Sequence, residues 1–562
     1  MRRLTGAFAP SAVLAIVLSM GGPVLAQVRG AGAQPTPQTL NPASETPAPS
    51  GRHDIFTAPE PGPCPLRDSK ARFTLKEVEF VGADGFDVSH LKGAYDSQLG
   101  QDIPVSAVCD IRDAVAARLF AAGILARVEI PEQRIVGGHL KLEVIEARIV
   151  SVHFHGDAGP AQSKVEDYLE HLRGMTPFNL QVAQRYLLLA AGVPGVRISA
   201  AIRPSEQGRG AVDLVVTVGR QPIDAAASLQ NLNAPSLGRW SLMGRADFNG
   251  ATTLGDQTSV VLYSSLEGNE EQVVQLVEEL RPGDQGLLLH ASVSYSTTHP
   301  RADLAPLDLN GDAVDAQFFA SYPLIRGEHE NLSVVGGFEY VDERTNFATG
   351  QALIDDRLRI LFGRVEGSDR GYLFDRPWII DGDVELRKGV DILNASPAGE
   401  ANLSHVGANP DAFVQRLNAH ASYRVAPKLE LYGGLAAQNT TSALSTFEEL
   451  VVGNLTYGRG YDPSAVQGDR GVEGTIELRL GPFMPLRNLI VTGYGFFDGA
   501  AVKYLDQTQT STSVRSAGGG LRFSYLNRFD LDIAVADPFD RISVTAVNPP
   551  PPRFLMTLTA RY

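Results

Sequence analysis

The sequence predicts two small α+β modules in tandem, followed by a transmembrane antiparallel β-barrel of about 16 strands. Three observations lead there. Between residues 72 and 220 the apolar pattern runs strand, helix, helix, strand, strand, and does so twice. From about residue 221 to the end, short alternating segments recur between Gly, Asn, Asp and Pro. The chain then closes on Phe554, Met556, Leu558, Ala560 and Tyr562 at strict period two.

The elements are justified in chain order. Residues 1–26 carry a basic start at Arg2 and Arg3, an apolar stretch around Val13 to Met20, and small residues at Val24-Leu25-Ala26. That is a secretory signal peptide, because the apolar run is shorter than the ~20 residues a spanning helix needs. No other stretch reads as a spanning helix, so any membrane span is β. Without Arg2 and Arg3 the chain holds 47 basic against 64 acidic residues, a net charge of −17. Such a balance argues against a nucleic-acid partner, which favours a basic face.

Residues 27–71 hold nine prolines among Ala, Thr, Gln and Ser. A segment so poor in large apolar residues buries too little surface to fold alone, and it reads as a periplasmic linker. Residues 27–62 show no convincing helical period for a plug. In an oxidising compartment Cys64 and Cys109 predict a disulfide.

The first module spans 72–147. Phe73 to Val81 alternates as one half-buried strand, helices are expected near Val88–Leu99 and Val105–Ala122, and strands follow at Arg127–Pro131 and His139–Ile145. The second spans 148–220, with a strand through Val150, Val152 and Phe154. Its helices are expected near Ser163–Leu172 and Leu180–Ala191, and its strands at Val196–Ile202 and Ala211–Val218. His153 and His155 sit on a polar face without a third ligand nearby, so no metal is expected there.

The barrel is expected over 221–562. Leu242, Gly244, Ala246 and Phe248 alternate against Met243, Arg245 and Asp247. Leu358, Ile360 and Phe362 alternate against Arg357 and Arg359. Ile476, Leu478 and Leu480 alternate against Thr475, Glu477 and Arg479. A barrel turns the apolar set to lipid and the polar set to a wet lumen, whereas a soluble sandwich would bury the apolar set. The segments approach the ~10 residues a tilted span needs.

Four stretches are more specific. They are GVPGVRISAAIRPSEQGRGAVDLVVTV in the second module, LGRWSLMGRADFNGATTLGDQ at the barrel entry, YPLIRGEHENLSVVGGFEY mid-barrel, and YGRGYDPSAVQGDRGVEGTIELR near the end. With two such modules ahead of a barrel, the chain resembles the two-partner secretion transporters. These are the TpsB proteins (ShlB/FhaC/HecB type) of hemolysin activation and secretion, within the POTRA–barrel superfamily. The resemblance implies that the modules are periplasmic POTRA domains and that the barrel lies in the bacterial outer membrane. It implies that the sixth extracellular loop folds into the lumen with an Arg-Gly-aromatic tip, here Arg459, Gly460 and Tyr461. It also implies an acidic partner on the inner wall from a Phe-x-Asp motif, here Phe496 and Asp498. The C-terminal alternation, including Phe554 and Tyr562, resembles an outer-membrane barrel signal. Two departures stand out: Gly458 replaces the usual branched aliphatic residue, and Ala500 replaces the glycine that usually follows Phe-x-Asp.

Other signals point nowhere. Asp308-Leu-Asn310-Gly-Asp312 has Ala313 where a calcium loop needs glycine and Phe319 where it needs glutamate. Gly493-Tyr-Gly495 lacks the helix of a dinucleotide loop. No Walker motif and no nucleophile elbow is present. Neither an enzyme nor a cofactor is therefore expected. By resemblance the expected function is export of a cognate exoprotein, hemolysin- or adhesin-like, with an N-terminal secretion domain. Outer-membrane lipid and the barrel-assembly machinery are the other expected partners. The alternatives are an outer-membrane assembly or insertion factor of the same superfamily, or a passive porin.

Overall fold

The computed structural model describes residues 63–83, 87–175, 178–405, 407–453, 456–506, 510–542 and 548–562. The leader and residues 27–62 of the linker lie outside these.

In the first module, Glu77–Val81 pairs in parallel with His139–Glu146, which pairs antiparallel with Ala126–Glu129. The helix Ala107–Ala121 covers this sheet. Leu75, Ile111, Val115, Leu119, Leu140 and Leu142 are fully buried between them. In the second module, Arg148–Gly156 runs parallel to Ala211–Arg220, which pairs antiparallel with Val196–Pro204. Helices Gln162–Glu170 and Leu180–Ala191 pack on that sheet through Val165, Leu169, Ala183 and Leu187. The second helix starts where the Asn179 side chain accepts from the Gln181 and Val182 amides, satisfying its first free donors.

Two details differ from the sequence expectation. The run Phe73–Val81 is two strands, not one. Arg72–Thr74 pairs with Asp102–Pro104, and the chain then changes partners at Leu75 and Lys76, whose amides bond Gln101 and Gly138 carbonyls. Period-two alternation continues through such a switch, so it cannot mark it. The first helix of this module is a pair of 3₁₀ turns, Val88–Ala94 and Asp96–Gln98. Gly93 weakens a helix there, and Leu91 is the one fully buried side chain of the first turn.

The two modules are joined at several points. Leu180 N of the second module donates to Gly123 O of the first at 2.7 Å. Arg209 of the second module bonds Glu129 at 2.8 Å and Glu143 at 2.7 Å in the first. The second module then docks on the barrel's periplasmic turns. Lys164 Nζ donates to Gly283 O at 2.7 Å, and Arg185 Nη1 to Pro323 O at 2.9 Å. His171 Nε2 lies 2.9 Å from Asp284 Oδ2, its ring stacked on Tyr186.

Sixteen antiparallel strands close the barrel. Its seam joins the first strand, Ile223–Gln230, to the last, Arg553–Arg561, through the five pairs from Thr557↔Gln230 to Arg561↔Ala226. Leu242, Phe248, Ile476, Leu478 and Leu480 project outward, while Arg245, Asp247, Thr475, Glu477 and Arg479 project inward. Phe554 and Tyr562 also face out. The Ala352–Leu373 strand reverses the expectation. Leu358, Ile360 and Phe362 point into the lumen, where Leu358 and Ile360 pack with Val341 and Phe447. Arg359 points outward at the extracellular rim, over the Tyr340 ring at 3.6 Å, bonded to Leu393 O at 3.2 Å and Asp342 at 2.9 Å. This strand is long enough to project beyond the bilayer. Above it the wet face lies outside, and the lumen face is covered by an inward-folded loop.

Candidate functional site

The loop between strands Leu429–Thr440 and Arg470–Leu486 is the sixth on the side opposite the two modules. Its stems pair briefly, Leu450–Val452 against Val466–Gly468, and the segment beyond them turns inside the barrel. Gly458 adopts φ +66°, and a Cβ there would come within 2.6 Å of Val452 Cγ1. That requirement accounts for glycine in place of a branched residue.

Arg459 is the centre of the site, 4% exposed. Its backbone amide donates to Asp498 Oδ2 at 3.0 Å. Nε reaches the same oxygen at 3.0 Å, and Nη2 reaches Oδ1 at 2.7 Å. This is a planar fork on a carboxylate, the geometry that distinguishes arginine from lysine. The guanidinium also lies 3.4 Å over the centre of the Phe496 ring. Both motif residues, Phe496 and Asp498, therefore contact Arg459. Gly460 approaches the wall closely: its amide donates to Ser516 Oγ at 3.2 Å, and a Cβ would stand 2.7 Å from Ser516 Cβ. Tyr461 is fully buried, its hydroxyl 2.9 Å from Arg515 O and accepting from the Asp540 amide at 3.0 Å.

Further contacts escaped the sequence reading. Arg459 Nη1 donates to Glu477 Oε2 at 2.9 Å, and Nη2 to Thr475 Oγ1 at 2.8 Å. Glu477 also accepts from Arg479 and Arg522, both at 2.7 Å, so one wall carries a charge ladder. Asp462 pairs with Arg239 at 2.9 Å and Arg553 at 3.2 Å, beside the seam, and Arg553 also donates to the Tyr461 carbonyl. On the other wall Glu448 of the loop stem meets Arg387, which also bonds Glu385 at 3.1 Å and Glu339. Period two had placed Thr475 and Glu477 on the polar face, so their side was legible and their partner was not. No local signal pairs Glu448 with Arg387, 61 residues apart.

Elsewhere, Cys64 and Cys109 are bonded to each other, with Cα atoms 5.7 Å apart, tying the end of the linker to the first module's helix. His153 Nε2 lies 2.9 Å from Ser151 Oγ on an exposed strand face.

What this arrangement can do is mechanical rather than covalent. It holds a loop across the lumen by charge-assisted bonds to separate wall segments. A well-buried pair of this kind costs about 3–5 kcal/mol when one partner is removed.

Comparisons with known proteins bear on the family and the fold. The family model described as "Haemolysin secretion/activation protein ShlB/FhaC/HecB" matches residues 208–523, and the "POTRA domain, ShlB-type" model matches 73–147. The chain is 20% identical over 491 residues, 84% of each chain, to the heme/hemopexin transporter protein HuxB of Haemophilus influenzae strain 86-028NP. Among solved structures it resembles CdiB from Escherichia coli, with TM-score 0.69, 16% identity and full coverage of both chains. It also resembles CdiB from Acinetobacter baumannii, with TM-score 0.61, 14% identity, and 99% of this chain and 100% of that one covered. A β-barrel of the bacterial outer membrane with POTRA modules at its periplasmic mouth, this chain belongs to the ShlB/FhaC/HecB family of haemolysin secretion/activation proteins.

Proposed function

We propose that the chain exports one cognate exoprotein, hemolysin- or adhesin-like, through the barrel. The observation that carries this reading is the sixth loop. Arg459 is fixed to Asp498 and Glu477 on one wall and Glu448 to Arg387 on another, so a polar lumen is spanned by a detachable element. A porin would have no use for two docked modules, and its lumen would stay open to small solutes.

The modules receive the unfolded cargo. Val196–Pro204 and Ala126–Glu129 are edge strands of their sheets, and such edges accept an extended segment by β-augmentation. No nucleotide motif lies in the sequence, so direction comes from folding of the cargo outside the cell. A cargo variant that cannot fold tests that part: emergence at the normal rate overturns it.

The experiment that tests the whole reading compares culture supernatant and outer membrane of a deletion strain with those of the parent by quantitative mass spectrometry. Loss of one large exoprotein with unchanged membrane barrels is the expected result. A broad fall in outer-membrane barrels would mean an assembly factor instead.

A further inference from the structure

Above the lumen anchor lies a second buried cluster that the transport reading does not use. His405 of the fifth extracellular loop, Glu449 of the sixth loop and Asp469 at the base of that loop converge there, and all three side chains are fully buried. His405 Nδ1 lies 3.0 Å from Glu449 Oε1 and 3.7 Å from Asp469 Oδ1, and one ligand atom from each residue falls within 4.8 Å of the others.

We propose that His405, Glu449 and Asp469 bind a divalent transition-metal cation of the zinc type, which pins both stems of the sixth loop to the fifth.

The donor chemistry is right for such an ion: one imidazole nitrogen and two carboxylates, with metal–ligand distances of about 2.0–2.2 Å. Tetrahedral bonds of that length put donor atoms about 3.4 Å apart. The two distances from Nδ1 bracket that value. A second observation is Glu449: its Oε1 is buried and makes no well-aligned hydrogen bond, its near neighbour being His405 Nδ1, which itself lies 3.1 Å from Leu444 O. A cation between these groups would satisfy a buried carboxylate oxygen whose desolvation is otherwise costly.

The outer contacts also suit a metal centre. His405 Nε2 lies 3.2 Å from Asp506 Oδ2 of the seventh loop. A carboxylate on the far ring nitrogen fixes the ring and its tautomer, as it does around metal-bound histidines. Asp469 Oδ1 accepts from Leu444 N at 2.6 Å, and Oδ2 from the Leu505 amide, so its carboxylate is held rigidly. Full burial of both carboxylates makes a bound cation the favourable countercharge.

The site would join three extracellular loops at one point and lock the frame from which Arg459 hangs. Its test does not depend on cargo, so it stands or falls apart from the export reading. The full-length protein is purified in detergent, dialysed against chelator, and titrated with Zn²⁺ by calorimetry, with metal content read by mass spectrometry. One tightly bound Zn²⁺ per chain is expected, with Ca²⁺ failing to compete. Glu449→Gln and Asp469→Asn should each remove it. Asp506→Asn, which leaves the three ligands in place, should weaken it roughly 10–100-fold. Heat-modifiable migration on gels confirms a folded barrel in each case. The proposal is overturned if the folded wild-type barrel binds no Zn²⁺, or if the ligand variants bind it as the wild type does. Either result would leave His405 held only by its carboxylate and carbonyl neighbours.

Discussion

Thr475 and Asp498 stand directly opposite each other on neighbouring strands, and Thr475 Oγ1 donates to Asp498 Oδ1 at 2.8 Å. The carboxylate that receives Arg459 is thus oriented by the wall before the loop arrives. Thr475 Oγ1 also accepts from Arg459 Nη2, so a single hydroxyl joins both charges.

Arg459→Ala leaves Asp498 and Glu477 buried without their loop partner. Export of the exoprotein should fall while the barrel still assembles, read as cargo in the supernatant against heat-modifiable barrel in the membrane. Arg459→Lys should recover part of the loss, because it keeps the charge but not the fork or the planar stack on Phe496. Normal export by Arg459→Ala at normal barrel level would remove the loop anchor from the mechanism.

Gly460→Ala places a methyl 2.7 Å from Ser516 Cβ and 3.0 Å from Pro538 N. Overpacking of this kind costs about 1–3 kcal/mol. The tip should withdraw from the wall, measured as faster proteolysis within the loop. Cleavage at the wild-type rate would show that the tip can shift without cost.

Breaking the disulfide by Cys109→Ser frees a loop of 45 residues. Loop entropy predicts a loss of about 2–4 kcal/mol in the first module. Thermal unfolding should show a lower transition for that module, with the barrel transition unmoved. A coincident fall of both transitions would mean that modules and barrel unfold as one unit.

Asp284 lies in a periplasmic turn. The His171 ring, and next the Gln285 amide, hold its carboxyl below the usual range. A carboxyl lowered in the docked state stabilises docking above its ordinary pKa of about 3.9, and that contribution is lost as pH falls through the lowered value. The group is half exposed, so the effect is small. Protease cleavage at the module–barrel junction should rise on acidification below about pH 4. Asp284→Asn should cleave at the same rate across that range, and an identical acid-induced rise in this variant would assign the effect elsewhere.

Much of this architecture is written in local periodicity. Ile476, Leu478 and Leu480 face lipid because nothing else covers their strand, and their alternation reads correctly. Leu358, Ile360 and Phe362 carry the same pattern and face the lumen, because Phe447 and the inward loop supply the apolar cover from inside. Alternation tells which residues share a face, not which medium that face meets. The Arg459–Asp498 contact was accessible only through resemblance. Glu477 and Thr475 were legible as a side of a strand, while Glu448 and Arg387 were not legible at all. Their pairing depends on how the loop crosses the barrel, which no short window of sequence contains.

That crossing has a consequence for shape. The sixth loop leaves one arc of the ring, touches a second at Arg387, a third at Asp498, and a fourth beside the seam through Asp462. It works as a set of spokes inside a hoop. A sheet of strands alone is soft toward ovalisation, since bending it sideways breaks no ladder bonds. With the spokes in place the cross-section is held near one form; without them only the ladder bonds between strands would set its outline.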